Sequence, residues 1–275
     1  MSQLIVTAHG ARIPAIGLGT WSLKGEEGAR AVEAAIRAGY RHIDGAIMYE
    51  NETEVGQGIR AAGVARSELF ITTKVPPALI GEKDLIGATE GSLRRFGIDQ
   101  ADLLLIHWPN AEIDLGGTIR ALCKAKTSGL ARHIGLSNFT LPLLDKAWAL
   151  TTEPLADLQC ENHPLMDQSR LIAAARARGM AFTSYTPIGR GKLFGAAPIV
   201  AAAAAHGRTE SQIILRWHVQ QGLVAIPRSV NPQRIAENLN VFDFALSAAE
   251  MAAITGMARP DGRMVRPAFA PEWDD

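Results

Sequence analysis

Cysteine is nearly absent: 275 residues contain only Cys123 and Cys160, at a spacing that matches no zinc or redox motif. A disulfide framework is excluded, and the scarcity fits a reducing compartment. Neither sign of charge is in surplus, with Lys+Arg and Asp+Glu at 28 each. That excludes a polycation holding nucleic acid or an anionic membrane by charge alone. No apolar run approaches a membrane span; Ile199 to Ala205 is a helix-forming alanine block. The start, Met1-Ser2-Gln3-Leu4, lacks the basic and apolar segments of a secretory leader, so a soluble, cytoplasmic protein is expected. The seven histidines show no ligand-pair spacing, and no metal is expected. No Pro/Ser-rich linker divides the chain, which reads as one domain over residues 1–275. A hydrophobic share of 47% is enough to bury a substantial core.

What the chain does have is regular punctuation. Helical stretches at 29–38, 52–62, 85–96, 118–128, 168–178 and 212–221 stop at Gly39, Gly63, Gly97, Gly129, Gly179 and Gly222. Glycine ends a helix in the left-handed turn without a Cβ penalty. Short aliphatic runs follow at 40–44, 69–74, 101–107, 132–137, 180–185 and 223–227, and runs at 15–19 and 156–159 bring the strands to eight. Near-continuous apolar strands alternating with helices are parallel and buried on both faces. Eight such units predict an α/β fold, a (β/α)8 TIM barrel. A doubly wound sheet would have fewer strands and a Gly-rich first turn. Leu4-Ile5-Val6 and Ile13-Pro14 flank His9-Gly10, an N-terminal β-hairpin that would plug the barrel bottom. Two additional helices are expected, one from Thr209 with Gln212 completing a capping box, one from Ser247 with Glu250.

In such barrels the chemistry lies at the C-terminal strand ends. Those positions hold Gly19-Thr20-Trp21, Asp44, Lys74, His107, Ser137-Asn138, Gln159, Tyr185 and Arg228. Each has an ordinary alternative: a loop cap for Asp44, a strand-end charge for Lys74, core packing for His107 and Tyr185. Their convergence favours chemistry. Asp44, Lys74 and His107 end three consecutive strands, so they surround one mouth, and Tyr49 lies five residues beyond Asp44. A phenol with a pKa of about 10 is a weak acid that a neighbouring ammonium draws toward the operating pH. Asp44 would keep Lys74 charged, and His107 would orient a substrate oxygen. Such a group donates a proton to an oxygen gaining negative charge, as carbonyl reduction requires.

Other motifs fail. Gly17-Leu18-Gly19-Thr20-Trp21-Ser22 lacks the third glycine of a dinucleotide fingerprint, and Gly189-Arg190-Gly191-Lys192 is no phosphate-binding P-loop. Gly189 to Gly195 reads as a loop, with a lid as the alternative. After the eighth strand, Pro227-Arg228-Ser229-Val230-Asn231-Pro232-Gln233-Arg234 places arginines beside an Asn-capped helix start, an anion site, or else solvated arginines around an ordinary cap.

These residues together resemble the aldo-keto reductase superfamily over essentially the whole chain. The motifs are Gly39-Tyr40-Arg41-His42-Ile43-Asp44 with Tyr49 and Glu54-Val55-Gly56, then Thr72-Thr73-Lys74, Leu105-Ile106-His107-Trp108-Pro109, Ile134-Gly135-Leu136-Ser137-Asn138-Phe139, Ser184-Tyr185-Thr186-Pro187 and Ile226-Pro227-Arg228-Ser229. Asn138-Phe139-Thr140, Pro142-Leu143 and the ending Ala270-Pro271-Glu272-Trp273-Asp274 most resemble bacterial 2,5-diketo-D-gluconate reductases of the B type. The resemblance implies NADPH-dependent reduction of aldehydes or ketones, including 2,5-diketo-D-gluconate or small dicarbonyls, by a monomer. It implies a catalytic tetrad of Asp44, Tyr49, Lys74 and His107, with Tyr49 as general acid. Ser137, Asn138 and Gln159 would hold the nicotinamide carboxamide, Tyr185 would stack on the ring, and Gly19, Thr20 and Trp21 would line the cleft. Arg228, Ser229, Asn231, Arg234, Glu237 and Asn238 would hold the adenosine end, and Trp21, Trp108 and Trp273 would wall the substrate pocket.

Three positions depart from the family pattern: Gly45 replaces the common Thr, Arg228 the common Lys, and Asn162 the common Tyr of Glu-Tyr-His-Pro. Two other functions remain open at the level of sequence. Lys74 would serve a Schiff-base lyase, and an NADPH-binding redox sensor would need no rapid turnover.

Overall fold

The computed structural model describes residues 4–273. Met1, Ser2 and Gln3 of the chain start lie outside them, as do Asp274 of the expected ending and Asp275. A hairpin comes first, β1 (Ile5–Ala8) antiparallel to β2 (Ala11–Pro14). His9 (φ 46°) and Gly10 (φ 85°) make its turn, both in the left-handed region that matches the twist of paired strands.

Eight parallel strands follow in sequential order: β3 (Leu18–Gly19), β4 (His42–Asp44), β5 (Phe70–Val75), β6 (Ala101–Ile106), β7 (Ala131–Ser137), β8 (Leu155–Glu161), β9 (Ala181–Tyr185) and β10 (Val224–Ala225). The sheet closes on itself. Gly17 N–H donates to Ala225 C=O at 2.9 Å, and Ala225 N–H to Ala15 C=O at 2.8 Å. Every residue of β5, β6 and β8 is buried, as expected of barrel strands covered by helices outside and by packed side chains inside.

The connecting helices are α1 (Gly25–Ala38), α2 (Glu52–Ala61), α3 (Leu85–Phe96), α4 (Leu115–Thr127), α5 (Leu141–Leu150), α6 (Ser169–Ala177), α7 (Ala197–His206), α8 (Glu210–Gln220) and α9 (Pro232–Leu239), followed by α10 (Ala248–Thr255). Their apolar faces lock onto the outside of the barrel. Ile119 and Leu122 of α4 pack with Leu104 and Ile106 of β6, and Val32 and Ile36 of α1 with Leu18 and Ile43. The hairpin plugs the bottom: Ala8, Ala11 and Ile13 pack against Phe70, Leu103 and Val224.

Some expected boundaries shift. α4 starts at Leu115 instead of 118 because Asp114 caps it, accepting from Gly116 and Gly117 N–H at 3.2 and 2.8 Å. β3 and β10 are only two residues long, at the seam where the barrel closes. The two additional helices are not both the ones expected. Thr209 and Gln212 do form a capping box, but they open α8, the helix that leads directly into β10. The helix outside the alternation is the alanine-rich α7; the other is α10, capped by Ser247 and Glu250 as expected. Among the described residues no helix is long and apolar enough to cross a membrane.

Candidate active site

Three strand ends and one short turn build the centre. Asp44 ends β4, Lys74 is the penultimate residue of β5, and His107 directly follows β6. After Asp44 the chain makes a single 3-10 turn, Ile47–Tyr49, and Glu50 (φ 52°) reverses it. That turn carries Tyr49 back over the mouth. Lys74 Nζ donates to Asp44 Oδ1, to the Gly45 carbonyl at 2.9 Å and to Tyr49 Oη at 3.4 Å. The rings of Tyr49 and His107 meet edge to face, with centroids 5.5 Å apart. Gly45 suits the position it occupies, because a Cβ there would sit 2.6 Å from the Phe96 ring.

Burial disfavours a charge on Lys74, but the Asp44 carboxylate and then Tyr49 outweigh it and hold the ammonium above its ordinary value. Burial, followed by the Lys74 charge, pushes His107 well below the usual imidazole range, so it is neutral. Its Nδ1 is buried without a hydrogen-bond partner. For Tyr49 the balance corrects the expectation that Lys74 draws the phenol toward neutrality. Burial dominates and raises it above 10.0; Lys74 opposes this and Asp44 adds to it. The phenol therefore keeps its proton.

The loop carrying Tyr49 is held from below by two residues that sequence reasoning passed over. Asn51 Nδ2 donates to the carbonyls of Thr20 and Leu23 at 2.7 and 2.8 Å, joining the loops after β3 and β4. Glu52, 2% exposed, accepts from Thr73 Oγ1 at 2.8 Å and pairs with Arg95 at 2.6 Å. Buried polar residues at a helix start are the feature that would have revealed them.

Beside this centre, Ser137, Asn138 and Gln159 are buried. Asn138 stands in the left-handed region (φ 62°). Its Nδ2 donates to the His107 carbonyl at 2.9 Å, and its Oδ1 accepts from Tyr185 Oη at 2.7 Å. Thr20 Oγ1 donates to the Asp44 carbonyl at 2.9 Å. Gly19 lies at the barrel seam, where a Cβ would meet the Ile226 carbonyl at 2.7 Å. Trp21 is 58% exposed, and the Arg190 guanidinium lies 5.5 Å from its ring, so the Gly189–Gly195 loop reaches the loop after β3.

Arg228, Ser229, Asn231, Arg234, Glu237 and Asn238 line one cavity of about 410 Å³. Asn231 caps α9, accepting from Arg234 N–H at 3.1 Å. Ile188 and Phe194 give the same cavity apolar wall.

On the other side of the mouth, Trp108 meets Trp273 and Phe269 edge to face, at 6.2 and 5.6 Å. Arg263 lies 3.5 Å from the Trp273 ring centre. What pins this C-terminal segment is Glu161, fully buried at the end of β8, which accepts from Met264 and Val265 N–H at 2.8 and 2.9 Å. Glu161, Arg263 and Phe269 were not among the expected site residues, since their partners lie far away in sequence. Asn162, one of the departures, donates to Ser184 Oγ at 3.0 Å.

Residues 15–259 match the model of the Aldo/keto reductase family. The chain belongs to that family. It is 44% identical over 269 residues to morphine 6-dehydrogenase of Pseudomonas putida, covering 92% of this chain and 90% of that protein. It is 42% identical over 245 residues to 2,5-diketo-D-gluconic acid reductase B of Corynebacterium sp. (strain SHS752001), covering 88% of each. A crystal structure of Bombyx mori aldo-keto reductase in complex with NADP matches with a TM-score of 0.89 at 34% identity, covering 94% of each chain. The barrel is thus that of an aldo-keto reductase, and the protein is an oxidoreductase.

Proposed function

We propose that this aldo-keto reductase uses NADPH to reduce aldehydes or ketones to alcohols, with Tyr49 as proton donor. The observation that carries the reading is the cluster of Lys74 with Asp44 and Tyr49, edge-packed on a neutral His107. The cofactor fits the residues present. The cavity after β10 offers two arginines and the capped start of α9 to a phosphate, and Ile188 and Phe194 to an adenine. Ser137, Asn138 and Gln159 would hold the carboxamide, with Tyr185 against the ring. When bound, the nicotinamide supplies the hydride.

The chain's own residues do the rest. Tyr49 O–H donates to the substrate oxygen as negative charge builds there. Lys74, held as ammonium by Asp44, stabilises the phenolate left behind. His107, neutral, has an N–H to offer the same oxygen and fixes its direction. Trp21, Trp108 and Trp273 would wall the pocket and exclude water. The substrates would be small dicarbonyls or 2,5-diketo-D-gluconate. We further read residues 1–275 as one domain that works as a cytoplasmic monomer, without nucleic acid, membrane or metal.

A Schiff-base lyase is disfavoured, because amine attack needs a neutral lysine and Lys74 is a fully buried, paired ammonium. The test is NADPH consumption against diketogluconate, methylglyoxal, aromatic aldehydes and keto-esters. Steady turnover with any of them is expected. Borohydride trapping of substrate on Lys74 without cofactor would establish the lyase instead. Oxidation of bound NADPH in a single turnover, without steady-state activity, would mark a redox sensor.

A further inference from the structure

Below the site lies a carboxyl group that the proposed chemistry does not use. The register of β7 and β8 slips between Ile134 and Gly135, so that Leu155 faces Ile134 while Asp157 faces Gly135, leaving Ala156 extra. Such a bulge re-aims the side chains beyond it. Gly135 permits the close approach: a Cβ there would meet the Asp157 carbonyl at 2.4 Å. Leu158 and Cys160 join the apolar layer outside the barrel. Asp157 and Gln159 instead point inward, to Thr183 and Asp44 respectively.

Asp157 is fully buried, one inward position below Gln159. Its Oδ1 accepts from Thr183 Oγ1 at 2.8 Å, and its Oδ2 has no partner. One neutral hydroxyl does not replace the water that a carboxylate loses on burial. The charges acting on it are Asp44 from β4 and Lys74 from β5. Elsewhere in the barrel wall, His42 on β4 is neutral, lowered to about 4 chiefly by burial. The Cys160 thiol on the outer face of β8 is pushed up to about 12, also by burial, and stays uncharged.

We propose that Asp157 is a positioning acid beneath the tetrad, neutral while carbonyl reduction proceeds and inhibitory once ionised, a role that rests on the reductase function proposed above. The physical reason is charge balance. Asp44 and Lys74 cancel, leaving the mouth free to accept negative charge on the substrate oxygen. Ionised Asp157 would add an uncompensated negative charge in a low-dielectric interior, opposing that build-up. It would also make Tyr49 a weaker acid.

The experiment measures nitrobenzaldehyde reduction by NADPH, as kcat/KM, across the neutral and alkaline range. Burial, against the Thr183 hydrogen bond, raises Asp157 to about 8, so wild-type activity is expected to fall through an inflection there. Asp157→Asn should lose that inflection and keep only the later one from Tyr49. Thr183→Val removes a hydroxyl that favours the carboxylate, and should move the inflection to higher pH. A merely structural role predicts neither shift. As a readout without cofactor, infrared spectra at neutral pH should show the carbonyl stretch of a protonated acid in the wild type that is missing from Asp157→Asn. Identical pH profiles, or no such band, would overturn the proposal. Should the wild type consume no NADPH at any pH, the reductase reading fails, while the infrared comparison still decides whether Asp157 holds a proton.

Discussion

Gln159 donates its side-chain N–H to Asp44 Oδ2 at 2.8 Å, across 115 residues of sequence, while Lys74 takes Oδ1. The buried carboxylate is therefore shared between the ammonium behind the proposed proton donor and the amide proposed for the nicotinamide carboxamide. Under the proposed function, cofactor seat and acid are mechanically one unit. Gln159→Leu would leave Asp44 Oδ2 unpaired in the barrel, and a hydrogen bond to a charged group is worth about 1.5–3 kcal/mol. Both NADPH affinity and kcat should fall, with kcat/KM reduced about ten- to hundred-fold. Steady-state kinetics beside a fluorescence titration of NADPH would check it; a loss in affinity alone would uncouple the two.

Tyr49→Phe removes only the phenol oxygen, the proposed proton donor, and with it the 3.4 Å contact from Lys74 Nζ. General acid catalysis contributes roughly 10²–10⁴ in rate, so turnover should fall by that factor while NADPH affinity stays within a few-fold. Lys74→Met removes the one charge that opposes burial of the phenol. It should lower turnover severely and move the later alkaline inflection of the pH–rate profile, the one that remains in Asp157→Asn, upward. An unchanged profile in Lys74→Met would remove Lys74 from the tuning of Tyr49.

Stability should respond to acid through buried histidines. Burial lowers His42 to about 4 and His218 to about 3, against 6.5 for an ordinary imidazole. Between those values the unfolded chain binds protons that the folded one refuses, so stability rises with pH there. Their contribution is complete above 6.5 and is lost as pH falls through that window. The cost is on the order of 1 kcal/mol per pH unit for each group. Thermal melts from neutral pH to about pH 5 should show a falling midpoint. His218→Gln, whose amide can still reach the Pro187 carbonyl, should flatten the fall. A midpoint independent of pH in the wild type would contradict this.

Much of the fold was legible because local physics dictates it. Gly39 (φ 112°) and Gly97 (φ 70°) end α1 and α3 in the left-handed turn that a glycine after a helical stretch announces. Asp44, Lys74 and His107 could be placed at one mouth because strand order alone brings consecutive strand ends together. Contacts between distant segments carried no local sign. Nothing around Glu161 announces that its oxygens hold Met264 and Val265, and nothing at Arg263 announces Trp273. The same limit affected α7, whose alanines fit any helix, so its place outside the alternation was assigned to the Thr209 cap instead. The sign of the Tyr49 shift also depended on burial, which neighbouring charges in a sequence do not reveal.

Ending the chain at Ala270 should alter substrate handling more than cofactor binding. The truncation removes Trp273, which packs on Trp108 at 6.2 Å and under the Arg263 guanidinium. Aromatic pairs contribute about 0.5–1.5 kcal/mol beyond their buried area. KM for aromatic aldehydes should therefore rise roughly two- to ten-fold, with NADPH affinity unchanged. Equal kinetics on small and aromatic substrates before and after truncation would show that Trp273 covers nothing the substrate touches.

Cofactor choice should rest on Arg228. NADPH and NADH differ by one phosphate on the adenosine ribose, so only groups facing that phosphate can tell them apart. Arg228 and Arg234 line the cavity after β10, and Asn231 caps the helix that starts there. Both arginines are exposed, free to close on an anion without being withdrawn from a core. A hydrogen bond to a charged group is worth about 1.5–3 kcal/mol, so Arg228→Ala should weaken NADPH about ten- to hundred-fold. NADH, which has no phosphate at that position, should bind as before. Because the site is open to solvent, the NADPH loss should be larger at low salt, where screening is least. Titrations of both cofactors at two ionic strengths would measure this. Equal losses for NADPH and NADH would mean that Arg228 supports the loop after β10 without reading the phosphate. A wild-type preference for NADH would remove the assignment of this cavity altogether.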